Sequence, residues 1–192
     1  KPVIIYTLEA FQQHPGIDKI CVVILKGWKE ILWAYARQFN ITKLEYVVEG
    51  GVSGQESIYN GLMEISQNET VEENVIMIHD GNRPMVEQEI ITDSLVKFRK
   101  SGSAVAVIPC TEVVFRAKEG DTSNVSIPRE ELWRTQTPHT YRLKDLLEAH
   151  KDAKERGITD TAATCLLMEK LGKASYFSKG SEKNLKITTL ED

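Results

Sequence analysis

Val75-Ile76-Met77-Ile78-His79-Asp80-Gly81-Asn82-Arg83-Pro84 is the stretch whose reading decides the fold. Four apolar residues rich in β-formers give way at once to a polar run that ends in proline. A short apolar run of this kind suits a strand buried on both faces of a parallel sheet. In such sheets ligands bind beyond the carboxyl ends of the strands. An Asp80 placed there can bind a divalent cation or a ribose hydroxyl, Gly81 leaves room beside it, and Arg83 meets a phosphate or pins the loop. The plainer alternative is a turn in which Asp80 caps the chain and Arg83 makes a structural ion pair. His79 reads as a hydrogen-bonded strand-end histidine rather than a ligand.

Outward from this stretch the same rhythm repeats. Ile20-Cys21-Val22-Val23-Ile24-Leu25, Tyr46-Val47-Val48 and Ala104-Val105-Ala106-Val107-Ile108 are further strand-like runs. Helical patterns lie between them: Ile4, Leu8 and Phe11 share one face, Trp28 to Phe39 forms a second helix, Ile58, Leu62 and Ile65 mark a third, and Ile90, Leu95 and Phe98 a fourth that stops near Ser101-Gly102. Alternation at this pitch predicts βαβ units, a mostly parallel sheet and a three-layered α/β fold. After Pro109 the pattern weakens. Residues 111–127 predict a projecting hairpin, too poor in apolar residues for a core of its own and therefore packed on a partner. Helices are expected at Leu143–Arg156 and Thr161–Leu171, and strands at Ala174–Phe177 and Leu185-Lys186-Ile187.

The whole chain of 192 residues is of single-domain size, and 1–192 reads as one domain. Its 24 Lys+Arg against 28 Asp+Glu give a net charge of -4, which argues against nonspecific nucleic-acid binding. No apolar stretch approaches the roughly 20 residues that span a bilayer. Three scattered cysteines, Cys21, Cys110 and Cys165, suggest neither a disulfide framework nor a zinc module and suit a reducing cytoplasm.

Four more segments can carry chemistry. Glu49-Gly50-Gly51-Val52-Ser53-Gly54-Gln55-Glu56-Ser57 follows a strand and enters a helix, so its glycines let backbone approach a ligand; its spacing is neither a P-loop nor GxGxxG. The plain reading is a βα turn with Ser53 or Ser57 as N-cap. Trp133-Arg134-Thr135-Gln136-Thr137-Pro138-His139 and Gly157-Ile158-Thr159-Asp160 cluster short polar groups and, taken singly, read as helix caps. Ser181 to Thr189 places Lys183 and Lys186 around a short strand, where lysines usually protect an edge.

Taken in order, Gly50-Gly51…Ser57, His79-Asp80-Gly81-x-Arg83-Pro84, Leu132-Trp133-Arg134-Thr135-Gln136-Thr137-Pro138, Thr159-Asp160 and Asn184-Leu185-Lys186-Ile187-Thr188-Thr189-x-Glu191-Asp192 resemble the cytidylyltransferases of polyol phosphates. The resemblance runs over the whole chain. It implies a Rossmann-like, glycosyltransferase-A-type nucleotidyltransferase with a β-arm at 111–127 that exchanges with a twin subunit. It implies CTP, a polyol phosphate and Mg2+ as reactants and cofactor. Gly50, Gly51 and Ser57 resemble the cytosine-recognising turn, and Asp80, with Gly81 beside it, the carboxylate near ribose, metal and polyol. Arg83 resembles a loop-supporting arginine. Arg129, Thr137, Thr159 and Lys186 resemble the polyol-phosphate ligands, with Lys186, Arg129 and Asp80 as the catalytic group. Two positions depart from the family pattern: Gly54 stands where an arginine is common, and Asn82 differs from HDAARP and HDGVRP. The family also opens with a strand, an AGGxGxRMG loop and a PKQ segment, upstream of a GKPV-type segment to which Lys1-Pro2-Val3 corresponds. The resemblance leans to 2-C-methyl-D-erythritol 4-phosphate, of isoprenoid synthesis, with ribitol 5-phosphate as the alternative. An inactive nucleotide-binding module and a sugar-phosphate nucleotidyltransferase using UTP or GTP are the readings from other classes.

Overall fold

The computed structural model describes residues 1–117, 120–189 and 191–192. Six helices, eight strands and one short 3-10 turn follow one another in it. The first half alternates: α1 (Val3–Gln13), β1 (Ile20–Ile24), α2 (Lys29–Gln38), β2 (Leu44–Glu49), α3 (Gly54–Asn68), β3 (Val75–Ile78), α4 (Gln88–Ser101) and β4 (Ala104–Pro109). The second half holds β5 (Val114–Phe115), β6 (Ser126–Ile127), the 3-10 turn Arg129–Glu131, β7 (Trp133–Arg142), α5 (Leu143–Glu155), α6 (Thr164–Lys170) and β8 (Phe177–Lys179). The four strand runs expected before Pro109 and the first four helices are all present, with ends shifted by a few residues at most.

Local chemistry sets the helix ends. Ser53 caps α3: its Oγ accepts from the Glu56 N–H at 3.1 Å, while Glu56 Oε2 accepts from the Val52 N–H at 2.8 Å. Ser53, not Ser57, is thus the cap. Gly102 stops α4 with φ 80, a left-handed value glycine adopts freely.

The strands form a parallel pair, β1–β2, and a four-stranded sheet in the order β3-β7-β4-β8. Alternation along β4 defines three layers. Ala106 faces a cluster with Ile5, Leu8 and Phe11 of α1, Leu32 of α2 and Ile90 and Ile91 of α4. Val105 and Val107 face the opposite way, onto Leu62 of α3, Leu146 of α5 and Met168 of α6.

Five expectations are corrected. The sheet is mixed, not mostly parallel: β7 lies between β3 and β4 and runs antiparallel to both. Trp133–His139 is therefore strand, not a helix cap; its polar side chains are paid for by partners far away in sequence. Thr159-Asp160 does not start a helix, because α6 begins at Thr164 behind Ala163. Leu185–Ile187 is not a strand, although the Ile187 N–H donates to the Asn82 carbonyl at 2.9 Å. Val75–Ile78 is also only half-buried: among the described residues β3 pairs with β7 alone, as β1 does with β2. The hairpin pairs just Val114 with Ile127 and Phe115 with Ser126; its residues 118 and 119 lie outside the described residues.

Candidate active site

Asp80 leaves the carboxyl end of β3 and gathers the site's charges. Arg83 Nε donates to Asp80 Oδ2 at 3.0 Å, and Lys186 Nζ lies 3.4 Å from the same oxygen. Loss of water pushes the carboxyl pKa up, but the Arg83 hydrogen bond and the charges of Lys186 and Arg83 outweigh it, so Asp80 titrates below the ordinary 3.8. It is a carboxylate at neutral pH. The ion pair foreseen for Arg83 is real, and it sits inside a larger arrangement.

That arrangement holds residues 184–187 over the end of β3. Arg83 Nη1 donates to the Asn184 carbonyl at 2.7 Å and Asn82 Nδ2 to the Ile187 carbonyl at 2.6 Å. Asn184 is wholly buried; its Nδ2 donates to the Thr137 carbonyl at 2.8 Å. Gln136, on β7, completes the clamp: its Nε2 donates to the Ser181 carbonyl and its Oε1 accepts from the Ser181 N–H. Lys186 is thus brought beside Asp80 by a segment bonded on both sides of it.

Thr137 faces the same end of the sheet. Its Oγ1 accepts from the Asp80 N–H at 3.0 Å and lies 3.0 Å from His79 Nδ1. Gly81 lies against α1: a Cβ there would lie 2.7 Å from the end of the Ile4 side chain, which would have to shift, and the Gly81 carbonyl accepts from Thr7 Oγ1.

The Gly50-Gly51 turn opens at the end of β2. The Gly50 N–H donates to the Ile24 carbonyl at 2.8 Å, that of Gly51 to Ser57 Oγ at 3.0 Å, and that of Val52 to Glu56. Ser57 Oγ in turn donates to the Ser53 carbonyl. The turn's donors are spent internally, whereas the Gly50 and Gly51 carbonyls accept no hydrogen bond among the described residues. Gln55 ties the 157–161 loop to this turn. Its Nε2 donates to the Ile158 carbonyl at 2.7 Å, and its Oε1 accepts from the N–H and the hydroxyl of Thr161, both at 3.0 Å. Thr159 is thereby carried next to Ser53, whose hydroxyl lies 3.5 Å from the Thr159 carbonyl.

Asp80, Gly81, Arg83, Thr137 and Lys186 are therefore one group, and Gly50, Gly51, Ser57 and Thr159 a second at the neighbouring helix start. Arg129 belongs to neither. It is exposed at the foot of the arm, 3.4 Å from the Thr111 carbonyl and 3.6 Å from Glu130. Gln55, Asn82, Gln136 and Asn184 escaped the sequence reading as site-builders. Asn82 carried a signal as a departure from the family motif, and Gln136 and Asn184 stood within matched motifs without a role of their own.

A three-layer α/β fold that collects glycine turn, carboxylate and cations at strand ends defines a nucleotidyltransferase. More closely, the chain belongs to the family described as IspD, 2-C-methyl-D-erythritol 4-phosphate cytidylyltransferase, whose model matches residues 1–192. It is 40% identical over 194 residues to a ribitol-5-phosphate cytidylyltransferase of Lacticaseibacillus paracasei, covering 100% of this chain and 82% of the relative. It is 35% identical over 196 residues to a 2-C-methyl-D-erythritol 4-phosphate cytidylyltransferase of Clostridium botulinum, with the same coverage. Among solved structures, 2-C-methyl-D-erythritol 4-phosphate cytidylyltransferase of Francisella tularensis superposes with TM-score 0.82 at 26% identity, over 100% of this chain and 84% of that one.

Proposed function

We propose that this chain transfers the cytidylyl group of CTP to the phosphate of an acyclic polyol phosphate. A phosphate oxygen of the polyol phosphate attacks the α-phosphorus, a new P–O bond forms, the bond to the bridging oxygen breaks, and pyrophosphate leaves. Such a transfer needs positioning and charge neutralisation rather than covalent help. The observation that carries the reading is Lys186 held beside Asp80 by a bonded segment. Its ammonium is placed to meet the incoming phosphate, and Asp80 aims it. Thr159, beside the glycine turn, and Thr137, beside Asp80 and able to accept from a polyol hydroxyl, are assigned to the polyol phosphate with it. Arg83 supports the loop.

The Gly50-Gly51 turn is assigned to the base. Its uncommitted carbonyls suit the exocyclic amine of cytosine and repel the O4 of uracil. CTP is accordingly expected to be used, and UTP refused, in a competition assay.

Mg2+ fits the site as proposed here. Asp80 Oδ1 accepts no hydrogen bond among the described residues, and one carboxylate is enough for an ion that takes its other ligands from phosphates and water. Bound there, Mg2+ would neutralise triphosphate charge.

Arg129 is assigned to the polyol phosphate of a second copy, because within its own chain it reaches neither Asp80 nor Lys186. The arm's apolar side chains support a homodimer: Val113 is 70% exposed and Phe115 60%, more surface than a lone ribbon should leave wet. The chain is read as one nucleotidyltransferase domain.

For the acceptor, the 40% identity to the Lacticaseibacillus enzyme favours ribitol 5-phosphate. The family description keeps 2-C-methyl-D-erythritol 4-phosphate, the substrate first expected from the sequence, as the second reading. Pyrophosphate release from CTP with each purified acceptor decides between them. No release with either, in protein that carries the family's opening loop, overturns the enzymatic reading.

A further inference from the structure

Both ring nitrogens of His79 are engaged, and their partners differ in kind. Nε2 lies 3.2 Å from the Arg83 carbonyl oxygen, which can only accept, so Nε2 carries a proton. The Thr137 hydroxyl has only two partners among the described residues, Nδ1 and the Asp80 N–H, and the N–H can only donate, so the acceptor for the hydroxyl's own proton is Nδ1 and the ring is neutral. A neutral ring protonated at Nε2 has a bare Nδ1. The Thr137 hydroxyl, 3.0 Å away, therefore donates to Nδ1. With its proton directed at the ring, Thr137 Oγ1 turns a lone pair to the Asp80 N–H at 3.0 Å. The other tautomer would set a bare Nε2 against the Arg83 carbonyl, oxygen lone pair to nitrogen lone pair. It would also leave the Thr137 oxygen accepting from both Nδ1–H and the Asp80 N–H, with no acceptor for its own proton among the described residues. The Phe11 ring, 5.0 Å away, packs the imidazole in place.

We propose that His79 is a positioning residue: acting through the Thr137 hydroxyl, it fixes the Asp80 backbone and so aims the carboxylate that Arg83 and Lys186 engage from the other side. This rests on the assignment of Asp80 to the reaction centre. Thr137 then serves as a fixed relay, with its only proton committed to the ring.

Two measurements test it. In protein labelled with 15N-histidine at pH 7, His79 should show one protonated nitrogen, Nε2; an Nδ1–H tautomer or an imidazolium overturns the proposal. Turnover is then read in His79→Leu, which keeps bulk without either nitrogen, and in His79→Asn, whose Oδ1 can replace Nδ1 as acceptor. His79→Leu should lower kcat about 30-fold with KM for CTP changed less than about threefold, and His79→Asn should recover most of that loss. Thr137→Val should cost at least as much as His79→Leu, and the double variant should be no worse than Thr137→Val alone. Equal damage by Leu and Asn, or losses that multiply, overturns the proposal. The Asp80 amide proton shift gives a reading independent of activity: it should move in His79→Leu and stay in His79→Asn. A chain that turns over no acceptor removes the enzymatic reading, and the amide shift and the tautomer still decide whether His79 holds Asp80.

Discussion

Lys186 and Asp80 share one contact but are expected to answer differently to mutation. The pair is partly exposed, and such pairs contribute about 0–1 kcal/mol to folding. Lys186→Ala should accordingly leave thermal unfolding nearly unchanged. Pyrophosphate release should nevertheless fall about 100-fold or more, the usual cost of removing a group that stabilises developing charge. Lys186→Arg should restore part of it. Undiminished turnover in Lys186→Ala would remove the lysine from the phosphate site. Gly51 answers to sterics instead: a Cβ there would lie 2.3–2.7 Å from Glu56 and disturb the bond that Glu56 makes to Val52. Gly51→Ala should raise KM for CTP while sparing kcat, measured by initial rates.

Among the elements, β7 shows most clearly what a sequence hides. β1, β3 and β4 were legible because unbroken Val, Ile and Ala runs have no other economical home. Trp133–His139 was not, because Gln136 and Thr137 look like cap and loop residues until their partners are known. Those partners, Ser181, Asn184 and His79, lie 45, 47 and 58 residues away. The site was legible in the same proportion. Asp80, Lys186 and the double glycine stood out through motif and resemblance, whereas Gln55 did not, since an amide on a helix is normally solvated. Gln55→Ala would strand the N–H and hydroxyl of buried Thr161 and the Ile158 carbonyl, at a cost of about 1–3 kcal/mol for such unmet groups. Denaturant unfolding should register that loss, and KM for the polyol phosphate should rise as Thr159 loosens. Gly180 guards the other clamp. A Cβ would lie 2.6 Å from Gln136 Oε1 and 2.9 Å from the Val107 carbonyl, so Gly180→Ala should cost about 1–3 kcal/mol, read as a lowered Tm.

At the scale of the whole molecule, buried histidines set the acid limit. Loss of water lowers the pKa values of His79 and His139 to about 4, from 6.5. The unfolded chain therefore binds protons that the folded chain refuses, and stability falls as pH drops from 6.5 toward 4. Asp80 continues the trend lower down, since its depressed pKa contributes stability above 3.8 that is lost beneath it. The urea midpoint should be level from pH 8 to 7 and clearly lower at pH 5. An unchanged midpoint at pH 5 would show that these rings do not stay neutral in the fold.

The clamp over β3 also sets an order in time. Asn82 and Arg83 close on Ile187 and Asn184 across 105 and 101 residues of chain. Contacts of such span form late, after the loops between them have been drawn in. During synthesis the Gly50-Gly51 turn can settle while the ribosome is still adding α5, but Lys186 reaches Asp80 only when nearly all of these residues have emerged. A nascent chain stalled before Asn184 would be a folded scaffold holding half a reaction centre.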